Sequence, residues 1–310
     1  MLDDRCRFGM GRNRTLRRAR STSLLLDRAA AHLHPTSVMV TPELSNFASH
    51  LADAARLVTL ASATGMIAVE NKGAARLFDP VTEADRAAEN AMQRLIGEAY
   101  PEHGFAGEEF GEQLGSSPYS WSLDPIDGTR SYVCGLPTWT TLIALLENGQ
   151  PVLGIIDAPR LDERYVGDGA AAWCERAGIS AALQSSGCTE LEQARLSTTD
   201  PFLFAGQAED AFAGLRRAVR MTRYGHDGYA YARLAAGTID LVVECALKPH
   251  DYHALVAVVR GAGGVFGDWS GGTDFAAGRV IAAATPQLYE AAVDVIQMAV
   301  PPSVGGGALR

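Results

Sequence analysis

Trp121-Ser122-Leu123-Asp124-Pro125-Ile126-Asp127-Gly128-Thr129 holds two carboxylates three residues apart, where a predicted strand at 121–123 gives way to a turn. Pro125 fixes its own φ and removes an N–H, while Gly128 lets the backbone approach a ligand closely. A turn of this shape can aim both carboxylates and the Ile126 carbonyl at one point. Hard oxygen donors of this kind suit Mg²⁺ rather than a soft metal. A helix beginning after Gly128 would add free N–H groups that seat a phosphate. The same residues also make an ordinary surface turn, for which Asp, Pro and Gly are common, so the rest of the chain has to decide.

Upstream, Gly107-Glu108-Glu109-Phe110-Gly111 puts acids after a short apolar stretch, where they serve either a site or a solvated strand edge. Further upstream, Asp79-Pro80-Val81-Thr82-Glu83-Ala84-Asp85 sets Asp85 in the first turn of a predicted helix, where an acid also favours the helix dipole. Downstream, Lys248-Pro249-His250-Asp251-Tyr252 opens another helix, with Asp251 placed as an N-cap.

Around these segments the periodicity alternates. Leu44, Phe47, Leu51, Ala54, Ala55 and Val58 recur at helical spacing over 42–66, behind the cap signal Thr41-Pro42-Glu43. A second helix is predicted over 83–99, capped by Thr82. Strands at 140–146 and 152–156 form a hairpin across 147–150, with a third at 163–166. The second half reads as helices at 208–219, 228–236, 252–262 and 286–298 with strands at 239–243 and 280–283. This mixture is a layered α/β or α+β fold rather than a bundle or sandwich of strands.

Composition limits the function. The 310 residues are 47 % apolar and 20 % charged, with mean hydropathy near zero, enough for one large domain or two packed halves, about 39–185 and 186–300. No apolar run reaches the roughly 20 residues that cross a bilayer. Net charge is −9, but residues 1–38 carry eight arginines against three aspartates, leaving −14 on the remainder. An acidic body argues against a nucleic-acid partner and fits carboxylates gathered around cations. The five scattered cysteines form no CxxC pair, which points to a reducing cytoplasm. Residues 1–38 read as a mis-annotated or disordered extension, with translation starting at Met39; 301–310 reads as a flexible Gly-rich tail.

Taken in order, the helix-start acid, Gly-Glu-Glu, Asp-Pro-Ile-Asp-Gly-Thr, and Asp251 before an Ala/Val-rich helix ending in Gly261-Ala262-Gly263-Gly264 resemble the inositol monophosphatase superfamily from about residue 42 to 298. The resemblance implies an α-β-α-β-α sandwich of the inositol monophosphatase/fructose-1,6-bisphosphatase type. It implies Mg²⁺, two or three ions, held by Glu108, Asp124, Asp127, Asp251 and the Ile126 carbonyl. Asp85, Thr129 and Glu108 take catalytic positions, Asp85 and Thr129 orienting the attacking water. Gly128 and Thr129 fall in the phosphate-binding loop. It also implies a homodimer and a small phosphate ester as substrate.

The stretches Arg223-Tyr224-Gly225-His226-Asp227-Gly228-Tyr229 and Leu247-Lys248-Pro249-His250-Asp251 look like those of histidinol-phosphatases in this superfamily, enzymes of histidine biosynthesis. Asp227 and Glu244 would then face the ammonium or imidazole of histidinol phosphate, although Asp227 is equally a helix cap. His226 and Gly228 depart from that pattern, standing where Gly and Cys are expected. Inositol 1-phosphate or a broader sugar or nucleotide phosphate is the alternative substrate, and a catalytically silent metal-binding regulator the alternative of another class.

Overall fold

The computed structural model describes residues 40–63, 67–71 and 80–299. The readings for 1–38, for 64–66 at the end of the first predicted helix and for 301–310 lie outside the described residues.

The elements in chain order are α1 (Pro42–Ser62), β1 (Glu70–Asn71), β2 (Pro80–Val81), α2 (Glu83–Ala99), β3 (Gly104–Gly107), β4 (Gly111–Gln113), β5 (Tyr119–Asp127) and α3 (Thr129–Val133). A meander follows: β6 (Thr140–Glu147), β7 (Gln150–Ala158), β8 (Glu163–Gly167), β9 (Ala172–Arg176) and β10 (Ile179–Ala182). Then come β11 (Arg195–Thr198), α4 (Gln207–Ala218), β12 (Met221–Tyr224), α5 (Asp227–Ala235), β13 (Leu241–Glu244), α6 (Pro249–Gly261), β14 (Val265–Asp268), β15 (Val280–Ala283) and α7 (Pro286–Ala299).

The apolar periodicities explain the layers. Leu51, Ala52 and Ala55 of α1 and Ala88, Met92 and Ile96 of α2 pack with Trp121, Leu123, Ile143 and Ile155 on one face of an eight-stranded sheet ordered β10-β9-β8-β7-β6-β5-β3-β4. The other face meets α5 and α6 through Leu142, Ile156, Ala230, Leu234, Leu255 and Val258. Those helices in turn cover a five-stranded sheet, β12-β11-β13-β15-β14, whose far face packs on α4 and α7. The order is helix, sheet, helix, sheet, helix, as the motif order implied.

The β6–β7 hairpin turns on Asn148 and Gly149, both at positive φ (51° and 78°), the two-residue turn whose twist suits antiparallel strands. Inside the first sheet, Asp157 is fully buried and is held by Arg56 at 2.8 and 3.0 Å and by Arg164 at 2.8 Å, joining α1 to β7 and β8.

One expectation fails in an instructive way. The strand does not give way to a turn at Asp124; β5 runs on through Asp127, pairing Asp124 with Leu142 and Asp127 with Thr140. Three steps on β5 thus oppose two on β6, which is a bulge. In a regular strand, residues three apart point to opposite faces. The extra residue, beside a proline that cannot donate to the ladder, cancels that alternation and sends both carboxylates to one side.

Candidate active site

The bulge of β5 and the starts of α5 and α6 converge. Asp124, Asp127 and Asp251 each present a carboxylate oxygen, and the three oxygens lie within 4.8 Å of one another. They open on a hollow of about 370 Å³ also lined by Glu108, Ile126, Gly128, Thr129, Arg130, Thr199, Asp227 and Lys248. Carboxylates this close repel one another, and burial adds to the cost of their charge. Burial first, then Glu108, Asp127 and Asp251, pushes the Asp124 carboxyl well above the ordinary carboxylate range. Burial followed by Asp227 and Asp251 does the same to Asp127, against the opposing bonds from Gly228 and Thr140.

The residues fit a hard cation on their own chemistry. Among the described residues, Asp124 Oδ1 is one of two buried side-chain polar atoms without a hydrogen-bond partner, the other being the Tyr231 hydroxyl. A buried carboxylate oxygen left bare is costly. A divalent ion among three such oxygens satisfies it and removes the mutual repulsion.

Each of the site's acids is positioned by local structure. Asp251 is not the N-cap of α6. Pro249 takes the first helical position and Lys248 the cap, so Asp251 falls third, where its Oδ2 accepts from the Lys248 N–H at 2.6 Å. Glu108 sits in the turn after β3. That turn is pinned by Glu89, a fully buried acid of α2 whose carboxylate accepts from the Glu109 and Phe110 N–H groups at 2.8 and 3.1 Å. Any side chain at Gly107 would run into the Glu89 carboxylate.

Gly128, at φ 80°, caps the five-residue α3, and the Thr129 hydroxyl donates to the Ile126 carbonyl at 3.1 Å. Asp85 is buried and does not line the hollow; its Oδ2 accepts from the Thr82 N–H and hydroxyl at 2.8 and 2.6 Å. Burial, opposed by those bonds, pushes its carboxyl up to about 6.

Asp227 lines the hollow but is not a helix cap. His226 holds the cap position of α5, and Asp227 follows it as the first residue of the helix, at φ 46°. Its Oδ2 accepts instead from the Ser131 hydroxyl at 3.4 Å. Glu244 lies behind the hollow rather than in its wall. It is 1 % exposed and accepts from the Thr199 N–H at 2.6 Å and the Thr198 hydroxyl at 3.1 Å.

The histidines lie outside the cluster of carboxylate oxygens. His226 faces Ser197 at 3.3 Å and His253 faces Ser122 at 3.0 Å, with burial lowering His253 to about 4. His250 lies 3.5 Å from Asp251.

Sequence reading missed Thr199, Arg130, Lys248, Glu89 and Tyr231. Arg130 pairs with Asp200 at the rim, 3.1 Å away. Lys248 and Arg130 each lay in or beside a stretch already read as chemical, Arg130 directly after Thr129; Thr199, Glu89 and Tyr231 carry no such local signal.

A profile of the inositol monophosphatase family matches residues 42–300. The chain is similar to a bifunctional phosphatase, IMPL2, chloroplastic, of Arabidopsis thaliana. The two are 47 % identical over 197 residues, covering 63 % of this chain and 56 % of that protein. It is 37 % identical to the histidinol-phosphatase of Mycobacterium tuberculosis over 195 residues, covering 60 % and 72 % of the two. The matched stretch thus spans little more than half of the plant protein. Among solved structures, an inositol monophosphatase from Zymomonas mobilis superposes with a TM-score of 0.73 at 37 % identity, covering 84 % of this chain and all of that one. The family span takes in every element from α1 to α7, so the chain belongs to the inositol monophosphatase family.

Proposed function

We propose that this protein is a Mg²⁺-dependent phosphomonoester hydrolase whose substrate is histidinol phosphate. The observation that carries the hydrolase reading is the bare, buried Asp124 Oδ1 among three converging carboxylates at the wall of an ester-sized hollow.

Asp124, Asp127 and Asp251, with Glu108 and the Ile126 carbonyl, would hold the cations. When bound, such ions neutralise a phosphate dianion and lower the pKa of a bound water. The chain supplies the positioning. Gly128 and Thr129 at the start of α3 sit where the phosphate oxygens enter. Thr129 would orient the attacking water directly, and Asp85, outside the hollow but near enough to Glu108 to feel its charge, would act through that wall residue, its carboxyl raised to about 6 and able to take up a proton near neutral pH. Attack in line forms one P–O bond as the ester P–O bond breaks; the leaving alkoxide takes up a proton, and no bond to the enzyme forms.

Asp227 supports the amino-alcohol ester. A carboxylate in the hollow wall would make a charge-assisted hydrogen bond to the substrate ammonium, worth roughly 1.5–3 kcal/mol. Glu244, buried and raised to about 8, acts through Thr199, which does line the hollow. The similarity to a histidinol-phosphatase over most of the matched span points the same way.

The test compares kcat/KM for histidinol phosphate and inositol 1-phosphate on the purified protein with Mg²⁺. A preference for histidinol phosphate is expected, and a preference for the inositol ester overturns the assignment.

A further inference from the structure

Three consecutive side chains of α3 surround the ester side of the hollow. Thr129 opens the helix, the Ser131 hydroxyl donates to Asp227 Oδ2 at 3.4 Å, and Arg130 between them lines the hollow. The Arg130 guanidinium is therefore within electrostatic reach of Asp227. Burial raises the Asp227 carboxyl, and the bonds from Thr199 and Ser131, then the Arg130 charge, oppose that rise. A guanidinium so placed competes with any ammonium brought by a substrate, because both seek the same carboxylate. A second acid draws Arg130 the other way: its Nη1 donates to Asp200 Oδ2 at 3.1 Å. The other Asp200 oxygen is already committed, accepting from the Phe202 N–H at 3.0 Å to cap the 3₁₀ turn Pro201–Leu203.

We infer that Asp200 is a specificity-determining positioning residue, which holds Arg130 at the rim and so keeps the Asp227 carboxylate open to the ammonium of the substrate. The pair sits at the mouth of the hollow, since Thr199 and Leu203 on either side of it in the chain both line that hollow. Its two side chains are partly exposed, Arg130 by 50 % and Asp200 by 29 %, and such a pair adds little to stability. What it fixes is where the guanidinium rests. Without the Asp200 charge, Arg130 is drawn towards the acids of the hollow, Asp227 among them. An ester without an ammonium group makes no use of Asp227 and does not register the change. The inference rests on the amino-ester reading given above.

The test is Asp200→Asn in the full chain, because the amide keeps an oxygen for the Phe202 N–H and removes only the charge. The readout is the kcat/KM ratio of histidinol phosphate to inositol 1-phosphate with Mg²⁺, alongside thermal unfolding. Asp200→Asn is expected to keep its Tm and to lose about 5- to 10-fold of the ester ratio, the effect of one displaced charge in a partly exposed setting. The loss should come from histidinol phosphate alone. Arg130→Gln/Asp200→Asn should recover most of the ratio, since the competing cation leaves together with its holder, and Asp200→Glu should retain it. Were Asp200 only the cap of its turn, Arg130→Gln would repair nothing. An unchanged ratio in Asp200→Asn, or a loss that Arg130→Gln does not repair, overturns the inference. An unsubstituted protein without a preference for histidinol phosphate, or one whose ratio does not fall in Asp227→Ala, is a different result, which overturns the amino-ester reading and the inference with it.

Discussion

Asp124 in the bulge of β5 and Asp251 in the first turn of α6 bring carboxylate oxygens within 4.8 Å of each other across two layers of the fold. The approach depends on α6 lying flush on the sheet. A Cβ at Gly154 of β7 would collide with the Ala254 carbonyl of α6, and one at Gly167 of β8 would stand 2.5 Å from Val258 Cα. Bare backbone on the strands thus sets the height of the helix, and the helix sets Asp251.

Gly154→Ala should therefore lift α6 and act on both stability and cation binding. Overpacking a helix–sheet contact costs roughly 1–3 kcal/mol, read as a lower urea midpoint at unchanged slope. The Mg²⁺-induced rise in Tm should shrink as well. A variant that loses stability but keeps the full metal-induced rise would show that Asp251 does not depend on this contact.

Asp227→Ala should discriminate between esters. Removing a charge-assisted bond of roughly 1.5–3 kcal/mol lowers kcat/KM for histidinol phosphate by about 10- to 150-fold. An ester without an ammonium group should lose much less. Equal losses on the two substrates would assign Asp227 to the frame of the hollow instead of to the substrate.

Glu244 gives a pH signature. Its carboxyl is raised from 4.5 to about 8, by burial first, with the bonds from Thr199 and Thr198 opposing. The folded state therefore holds the proton more tightly than the unfolded chain does. The contribution is full below pH 4.5 and is lost as pH rises through about 8, with a slope of up to about 1.4 kcal/mol per pH unit inside that window. Chemical unfolding in EDTA from pH 5 to 9 should show this decline, and Glu244→Gln should flatten it. Parallel curves for the two proteins would contradict the buried, protonated state.

The acids of the site were legible because they lie in short local patterns. Asp124 and Asp127 flank a proline and precede a glycine, and Asp85 and Asp251 mark helix starts. What the sequence could not carry was direction. The bulge that turns Asp124 and Asp127 to one face depends on pairing with Leu142 and Thr140 on β6, which no local pattern encodes. The positive φ at Asp227 is one that Asp tolerates but that no local pattern announces, and it sets the carboxylate close against Gly128. Glu244, legible as an acid at the end of a strand, turned out to face Thr198 and Thr199 on β11 and the loop after it. The layer order was legible through the motif resemblance, while short strands such as β3, β4, β11 and β12 offer too few residues for a period-2 pattern to register.

The central claim is that clustered carboxylates work only around a divalent cation, and phosphate release from histidinol phosphate measures it most directly. Purified protein in excess EDTA should release no phosphate above background, and Mg²⁺ added beyond the chelator should restore turnover. Full turnover in EDTA would contradict the account.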